Sequence, residues 1–176
     1  GGMIMGYAPN VRYCEIYVNG EYQGLYLLIE SISRSENRVN IGKYDSRLSE
    51  SGYIVRVDKD ENTIRDISTF SEYAYISEID VGLSVVYPGK NTINEDIKEY
   101  IKSDFSEFER SLYSYDFDDS KRGYKNYIDV DSFVDYYIFQ EFMEINDTGN
   151  RSTYLYKEKG GKLVMGPIWD YNNSLN

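Results

Sequence analysis

The chain has 176 residues, a formal net charge of −11 at pH 7 and no histidine. The length suits one domain with a hydrophobic core of its own. Without histidine, Ser-His-Asp catalysis, Cys-His catalysis and histidine-ligated metal sites are all excluded. The negative charge repels phosphate backbones, so we expect no nucleic-acid partner. The same charge attracts basic protein substrates and divalent cations.

Three further features of the composition bear on compartment and packing. The single Cys14 cannot form an internal disulfide, and its place inside an alternating strand pattern predicts a small buried core residue. Cysteine usage therefore leaves the compartment open. No apolar run approaches the length of a bilayer-spanning helix, so we expect no membrane span. The 20 tyrosines predict many half-buried side chains, because the ring covers apolar surface while the hydroxyl stays hydrated.

A β-hairpin is the first element predicted along the chain. Residues 12–18 have a strand pattern, and the following Asn19-Gly20 is the strongest short turn signal. Residues 22–29 return as a second strand that is apolar enough to be buried on both faces. Residues 31–50 are polar and irregular, with room for a short helix.

Further strands and a helix follow. Residues 52–58 predict a third strand, and residues 73–87 predict one or two more, ending at Pro88-Gly89. Apolar residues then recur at steps of three and four over 93–112, which predicts an amphipathic helix with a core-facing stripe. Residues 114–126 are charged and rich in turn formers, so we expect a linker there.

A second helix is predicted to begin at Asp129 or Asp131, since either residue is a good N-cap. It runs through Met143 and is apolar nearly all round, so we expect it at the centre of the fold. The sequence of elements predicts an α+β fold in a single domain over residues 1–176.

The last predicted hairpin joins residues 153–157 to residues 162–166. Asp147 precedes its first strand and Asp170 follows its second, and antiparallel pairing places these two ends side by side. Two such carboxylates suit phosphoryl transfer, in which one orients or deprotonates a hydroxyl and the other holds Mg²⁺ against the phosphates. From the residues alone, the alternative is that both aspartates only cap backbone donors.

Two long segments resemble signatures of the spore-coat protein H (CotH) family. Residues 18–30 (Val-Asn-Gly-Glu-Tyr-Gln-Gly-Leu-Tyr-Leu-Leu-Ile-Glu) are similar to the first signature. Residues 166–170 (Gly-Pro-Ile-Trp-Asp) are similar to the second, which lies near the C-terminal end of the family's domain. Asn146-Asp147, followed by residues 151–156 (Arg-Ser-Thr-Tyr-Leu-Tyr), resembles the stretch between them.

The resemblance implies a partial protein-kinase-like fold of the atypical kind, with antiparallel strands of a nucleotide-binding lobe followed by a helical lobe and a catalytic hairpin. It implies phosphorylation of Ser or Thr in proteins, for example spore coat proteins, with ATP and Mg²⁺ or Mn²⁺ as cofactors. Under this resemblance Asp147 is the catalytic aspartate and Asp170 the metal-binding aspartate. Glu30 lies at the hinge, where backbone groups meet adenine.

The chain departs from the family pattern at two metal positions. Ser152 stands five residues after Asp147, where kinases commonly have a metal-binding asparagine, and Asn150 is a nearby substitute. Asn172 stands where many family members have a second acidic residue, and it can bind metal through its amide oxygen. We therefore expect Asp170, Asn172 and Ser152 to form the metal site.

The cation that anchors the phosphates is the third departure. The family places this basic residue upstream of the Asn-Gly hairpin, and Arg56 and Lys59 are the alternatives within the chain, although solvated charges at a strand end are the simpler interpretation. The chain also stops six residues after Asp170. We therefore expect a domain truncated at both ends, with weak or absent ATP turnover from these residues alone.

Two other functions stay open. A non-catalytic coat or surface-assembly protein with the same fold is favoured by Ser152 and Asn172. A glycosidase built on Asp147 and Asp170 is the other, since paired carboxylates also cleave sugars, but the sequence lacks a tryptophan-rich sugar platform. The resemblance implies a bacterial protein of the spore coat or cell surface, and a cytoplasmic location is not excluded.

Overall fold

The protein, as a computed structural model, is described over residues 5–58, 67, 69–70, 82–146, 149 and 151–175. Its strands are β1 (Val11–Val18), β2 (Glu21–Ile29), β3 (Tyr53–Asp58), β4 (Gly82–Tyr87), β5 (Thr153–Lys157) and β6 (Leu163–Met165). Its α-helices are α1 (Glu95–Tyr113) and α2 (Val130–Phe142), and a 3₁₀ turn at Tyr124–Asn126 lies between them. These elements confirm the predicted α+β class.

Strands β1 and β2 form the predicted hairpin, which is a two-stranded antiparallel sheet. Its turn residues Asn19 and Gly20 have φ angles of 54° and 86°. A type I′ turn needs this left-handed conformation at both central positions, and Asn-Gly adopts it readily. The ladder runs from the Val11–Ile29 pair to the turn, with an irregularity after Ile16.

The burial predicted for this hairpin is wrong. Leu25 and Leu28 on β2 are 63% and 64% exposed, and Cys14 on β1 is half-buried rather than a core residue. The physical reason is that β1 and β2 pair only with each other and do not join the larger sheet. Most of the hairpin's apolar side chains therefore face outward in the described part of the chain.

The larger sheet has four antiparallel strands in the order β4-β3-β5-β6. Helix α1 packs on one face and builds the main core there. The buried apolar residues of this core are Tyr53, Val55, Ile67, Leu83, Val85, Ile97, Ile101, Phe105, Ile128, Leu155 and Leu163. The predicted strands over 52–58 and 153–166 are confirmed by this sheet.

Helix α1 confirms the helix predicted over 93–112. The side chain of Asn94 accepts a hydrogen bond from the Ile97 N–H at 3.0 Å and caps the first turn. Ile97 and Ile101 are fully buried and Phe105 nearly so, which is the spacing of a single helix face. The apolar stripe of the sequence is therefore the surface that contacts the sheet.

Residues 31–50 cover the opposite face of the sheet, and the short helix expected there is absent from this fully described stretch. Val39 and Ile41 pack with Ile54 and Tyr154 in a second apolar cluster. The chain is held in place by polar contacts, among them the Gly42 N–H, which donates to the Glu158 carboxylate at 2.7 Å. This segment is irregular because backbone and side-chain contacts replace a repeating ladder.

Helix α2 begins after Asp129, whose carboxylate accepts from the Ser132 N–H at 3.1 Å, so the predicted N-cap is confirmed. The central, fully covered position predicted for α2 is wrong. Only Tyr136 and Gln140 are buried along the helix, and they lie one turn apart on one face. Exposed large apolar residues of α2 are Val134, Tyr137, Ile138 and Phe142. The described elements pack against one side of the helix and leave its apolar far side open.

Two sequence expectations remain. The end of the predicted 73–87 region is confirmed by β4, and its earlier part, residues 73–81, lies outside the described residues. Over the described ranges, none of the helices combines the length and apolar character needed to cross a membrane.

Candidate functional site

The open end of the β5–β6 hairpin brings Ser152 and Asp170 together. The two strands pair antiparallel, with Leu155 opposite Met165, so the residue before β5 and the segment after β6 come to the same end. There the Ser152 hydroxyl donates to the Asp170 Oδ2 at 3.3 Å. The hairpin geometry predicted from the sequence thus places two of the predicted metal-site residues in contact.

Both residues have an uncommon backbone conformation. The φ angles of Ser152 and Asp170 are 50° and 64°, in the left-handed region that non-glycine residues rarely adopt. Asp170 is exposed and Ser152 is half-buried. Such conformations cost free energy and persist where the surrounding structure enforces them, which is common at functional sites.

The segment before Asp170 is fixed by packing. Gly166 has a φ of 108° and its N–H donates to the Tyr154 carbonyl at 2.8 Å. Pro167 is fully buried and Trp169 is half-buried, with its ring edge-on to the Tyr154 ring and the two ring centroids 6.3 Å apart. The carboxylate of Asp170 is therefore carried on an anchored backbone although its own side chain is exposed.

An apolar cavity of about 590 Å³ lies beside Asp170. Its lining residues are Ala8, Pro9, Val11, Leu27, Ile29, Phe139, Met143, Ile168, Trp169, Asp170, Tyr171 and Asn172. One wall is thus the β1–β2 hairpin, and the other is the end of α2 with the segment around Asp170. The predicted metal residues Asp170 and Asn172 contribute polar groups to a mostly apolar pocket, and this volume lies in the range of small-molecule sites.

Three residues considered in the sequence analysis lie outside the described residues. These are the catalytic candidate Asp147, the substitute ligand Asn150 and the alternative cation Lys59. Between the first two in sequence, the described Gly149 N–H donates to the Thr153 Oγ1 at 3.1 Å, which holds Gly149 against the start of β5. The role predicted for Asp147 stays a prediction.

Glu30 lies at the end of β2 and does not line the cavity beside Asp170. Its carboxylate accepts hydrogen bonds from the Asn10 N–H and Nδ2, both at 2.9 Å, and from the Tyr7 hydroxyl at 3.4 Å. The bonds from Asn10 lower the pKa of Glu30. The Glu30 N–H donates to the Asn10 carbonyl at 3.0 Å, so this backbone donor already has a partner. Glu30 lines a separate polar cavity that also contains Arg38.

Arg56 lies on β3, and its Nε is 3.1 Å from the Asp58 carboxylate. The contact is an ion pair without hydrogen-bond geometry, since the same Nε has no hydrogen-bond partner among the described residues. Arg56 pairs with Tyr154 of β5 in the sheet register, which places its side chain on the face that also carries Trp169. Neither Glu30 nor Arg56 contacts the Ser152–Asp170 pair.

The donors at the site are oxygen atoms, from one carboxylate, one hydroxyl and one amide. Hard cations such as Mg²⁺ prefer oxygen ligands, so the residue types fit Mg²⁺ or Mn²⁺ and do not fit zinc. The described residues contain no group of three or more acidic or cysteine side chains that would hold a metal ion without further ligands. A cation here would take its remaining ligands from water and from phosphate oxygens, as Mg²⁺ usually does.

Sequence reasoning missed a buried contact next to Asp170. Gln140 of α2 is 3% exposed, and its Nε2 donates to the Tyr171 hydroxyl. Burial raises the pKa of Tyr171 well above its ordinary value. A signal was present in the sequence, because Gln140 is a neutral polar residue in an otherwise apolar helix and lies four residues after Tyr136. Buried amides of this kind need a hydrogen-bond partner.

These observations define an α+β domain whose β5–β6 hairpin carries a hydroxyl and a carboxylate at its open end, beside an apolar cavity. The family model described as CotH kinase protein matches residues 2–176, and the chain belongs to the CotH family. This match confirms the resemblance found in residues 18–30 and 166–170. No curated protein matches the chain.

Proposed function

We propose that the chain is an atypical kinase-like domain that binds ATP with Mg²⁺ or Mn²⁺ and phosphorylates Ser or Thr in proteins. The observation that carries the proposal is the Ser152–Asp170 contact at 3.3 Å beside an apolar cavity of about 590 Å³. Membership of the CotH family supports the same function. The kinase-like arrangement of the hairpin and the two helices belongs to this proposal.

The cavity supplies the nucleotide side of the proposal. Leu27 and Ile29 of the hairpin line it together with Phe139 of α2 and Met143, the residue after the helix, and such apolar walls suit an adenine ring. Asp170 and Asn172 lie on the same lining and would hold the cation that neutralises phosphate charge. Ser152 would assist them through its hydroxyl. A nucleotide in this cavity therefore has its base and its phosphates next to residues of matching chemistry.

The remaining roles follow the family resemblance. Asp147 would take the proton of the substrate hydroxyl while the new oxygen–phosphorus bond forms and the bond to ADP breaks. Glu30 would act through backbone groups at the hinge, although its N–H is engaged with Asn10. Arg56 would need to leave Asp58 to reach a phosphate, which makes it the weaker candidate for the anchoring cation. Basic coat proteins at the bacterial spore coat or cell surface suit the net charge of −11.

The single tryptophan gives a direct binding test. Trp169 is the only tryptophan of the chain and lines the cavity next to Asp170. Paramagnetic Mn²⁺ bound at Asp170 should quench its fluorescence when a non-hydrolysable ATP analogue is present. Asp170→Asn should weaken this quenching, while Glu99→Gln on the exposed side of α1 should leave it unchanged. Equal Mn²⁺ titrations for wild type and Asp170→Asn would refute the metal role.

Phosphate transfer is tested separately. Measured against a wild type whose transfer from radiolabelled ATP to a basic protein is detectable, Asp147→Asn should lower the rate by roughly a hundredfold to ten-thousandfold, because a positioned base contributes about that much. Binding of the ATP analogue should stay close to that of wild type. An Asp147→Asn variant that labels the substrate at the wild-type rate would show that this carboxylate has no catalytic part.

A non-catalytic assembly role is the second candidate, and two observations favour it. The described part of the site offers one carboxylate, with neutral Ser152 and Asn172 in the other metal positions. The hairpin also presents apolar side chains to the outside, which suits a protein contact. Binding of Mn²⁺ and the ATP analogue without any transfer to protein substrates would favour this role over the kinase.

A further inference from the structure

Helix α2 contacts the segment that follows Asp170 at three places. Gln140 donates to the Tyr171 hydroxyl, and the Phe139 and Tyr171 rings pack with their centroids 5.4 Å apart. Further along, the Leu175 N–H donates to the Met143 carbonyl at 3.1 Å. The chain after Asp170 is therefore docked on the last turns of the helix rather than free to move.

The buried face of α2 also contacts the residue next to Ser152, the other member of the Ser152–Asp170 pair. Tyr136 lies one turn before Gln140, and its hydroxyl is 3.5 Å from the Thr153 Oγ1, to which it donates. Thr153 is 2% exposed and directly follows Ser152. The two buried side chains of α2 thus contact the neighbours of Ser152 and of Asp170, respectively.

Anchors on both sides of Asp170 make its backbone conformation understandable. On the N-terminal side of Asp170, Trp169 packs against Tyr154. On the C-terminal side, the Tyr171 hydroxyl accepts a hydrogen bond from Gln140. A non-glycine residue at a φ of 64° relaxes unless its neighbours are held. On the C-terminal side of Asp170, the Tyr171 hydroxyl reaches Gln140 on the buried face of the helix.

We propose that Gln140 is a positioning residue that fixes Asp170 for metal binding through its hydrogen bond to the Tyr171 hydroxyl. The proposal rests on the proposed function, since it assigns a partner to the metal-binding Asp170. Residues that orient a ligand from behind typically change metal affinity by about ten- to a hundredfold when they are altered. A contact that only satisfied a buried amide would change stability and leave metal affinity as it is.

The test is a Mn²⁺ titration of Trp169 fluorescence with the ATP analogue present. Tyr171→Phe keeps the ring against Phe139 and removes only the hydroxyl, and we expect its Mn²⁺ affinity to fall about tenfold. Gln140→Met should give a similar loss, and the double variant should lose no more than either single one, because both changes break the same hydrogen bond. Tyr137→Phe, on the exposed side of the same helix, is the matched control and should behave as wild type. Thermal unfolding by circular dichroism shows that each variant is folded.

The outcomes separate the two proposals. If Asp170→Asn is weakened and Tyr171→Phe binds Mn²⁺ like wild type, the positioning role of Gln140 is wrong while the metal site stands. If the losses of Gln140→Met and Tyr171→Phe add in the double variant, Gln140 acts by another route and the proposal is also wrong. If wild type and Asp170→Asn respond equally to Mn²⁺, the metal site itself fails, and this inference fails with it.

Discussion

Asp104 connects helix α1 to the sheet through a nearly buried charge pair, and its removal should be costly. Its Oδ2 accepts from the Tyr53 hydroxyl at 3.0 Å and forms an ion pair with the Lys157 ammonium. Tyr53 is fully buried, and the Lys157 and Asp104 side chains keep only 13% and 19% of their exposure. Asp104→Ala therefore leaves a buried hydroxyl without its acceptor and an ammonium without its counter-charge.

The two losses set the size of the effect. A hydrogen bond to a charged group contributes about 1.5–3 kcal/mol, and breaking a fully buried ion pair costs about 3–5 kcal/mol. Because some solvent reaches this pair, we expect Asp104→Ala to lower the free energy of unfolding by about 3 kcal/mol. Tyr53→Phe, which removes only the donor of this hydrogen bond, should cost about 1.5–3 kcal/mol.

The assay is urea unfolding followed by circular dichroism. Glu99→Ala is the matched control, because Glu99 pairs with Lys102 on the exposed side of the same helix and should cost at most about 0.5 kcal/mol. In the Asp104→Ala and Lys157→Met double variant the loss should be smaller than the sum of the single losses, since no unpaired charge remains. An Asp104→Ala protein as stable as Glu99→Ala would refute this account of the pair.

Three further predictions concern stability. Burial and the charge of Asp104 raise the pKa of Tyr100 from 10.0 to about 12. The stability that the neutral Tyr100 contributes is therefore complete below pH 10 and is lost as the pH rises to 12. Tyr100→Phe should make the free energy of unfolding decline less steeply between these two pH values. Asp129→Ala removes the N-cap of α2 and should cost about 1 kcal/mol, whereas Asp131→Ala should cost less; equal losses in urea unfolding would contradict the capping role. Gly166→Ala places a side chain at a φ of 108° and should cost about 1–3 kcal/mol by the same measurement, and a neutral result would mean that the backbone relaxes there.

The sequence predicted the elements better than their surroundings. Periodic apolar residues and the Asp129 cap depend on local spacing, so α1, the start of α2 and both hairpins are where the pattern indicates. Burial depends on which other elements pack against a helix or strand, and the spacing of apolar residues along the chain does not carry that information. For this reason the apolar strand β2 and the apolar helix α2 were expected inside the fold, although much of their surface is exposed.

The candidate site also has features that the sequence predicted and features that it did not. Antiparallel pairing predicted that Asp147 and Asp170 lie at one end of the hairpin, and the family resemblance added Ser152 to that site; the structure places the Ser152 hydroxyl 3.3 Å from the Asp170 carboxylate, and Asp147 lies outside the described residues. The contact of Gln140 was not predicted because the interpretation of α2 depended on its apolar positions, and a single amide among them does not change the apolar pattern. The contacts of Glu30 with Asn10 also escaped prediction, since they join loops with no regular spacing.

The two walls of the cavity beside Asp170 come from segments that lie far apart in the sequence. Its hairpin wall comes from residues 8–29, and its Asp170 wall comes from residues 139–172, with the whole of β3, β4 and α1 encoded between them. A crossover within residues 31–128 would therefore exchange one wall between family members and leave the other intact. Chimaeras of this kind would inherit the hairpin wall with Leu27 and Ile29 from one parent and the wall with Phe139 and Asp170 from the other, so the contribution of each wall to any ligand affinity could be measured separately.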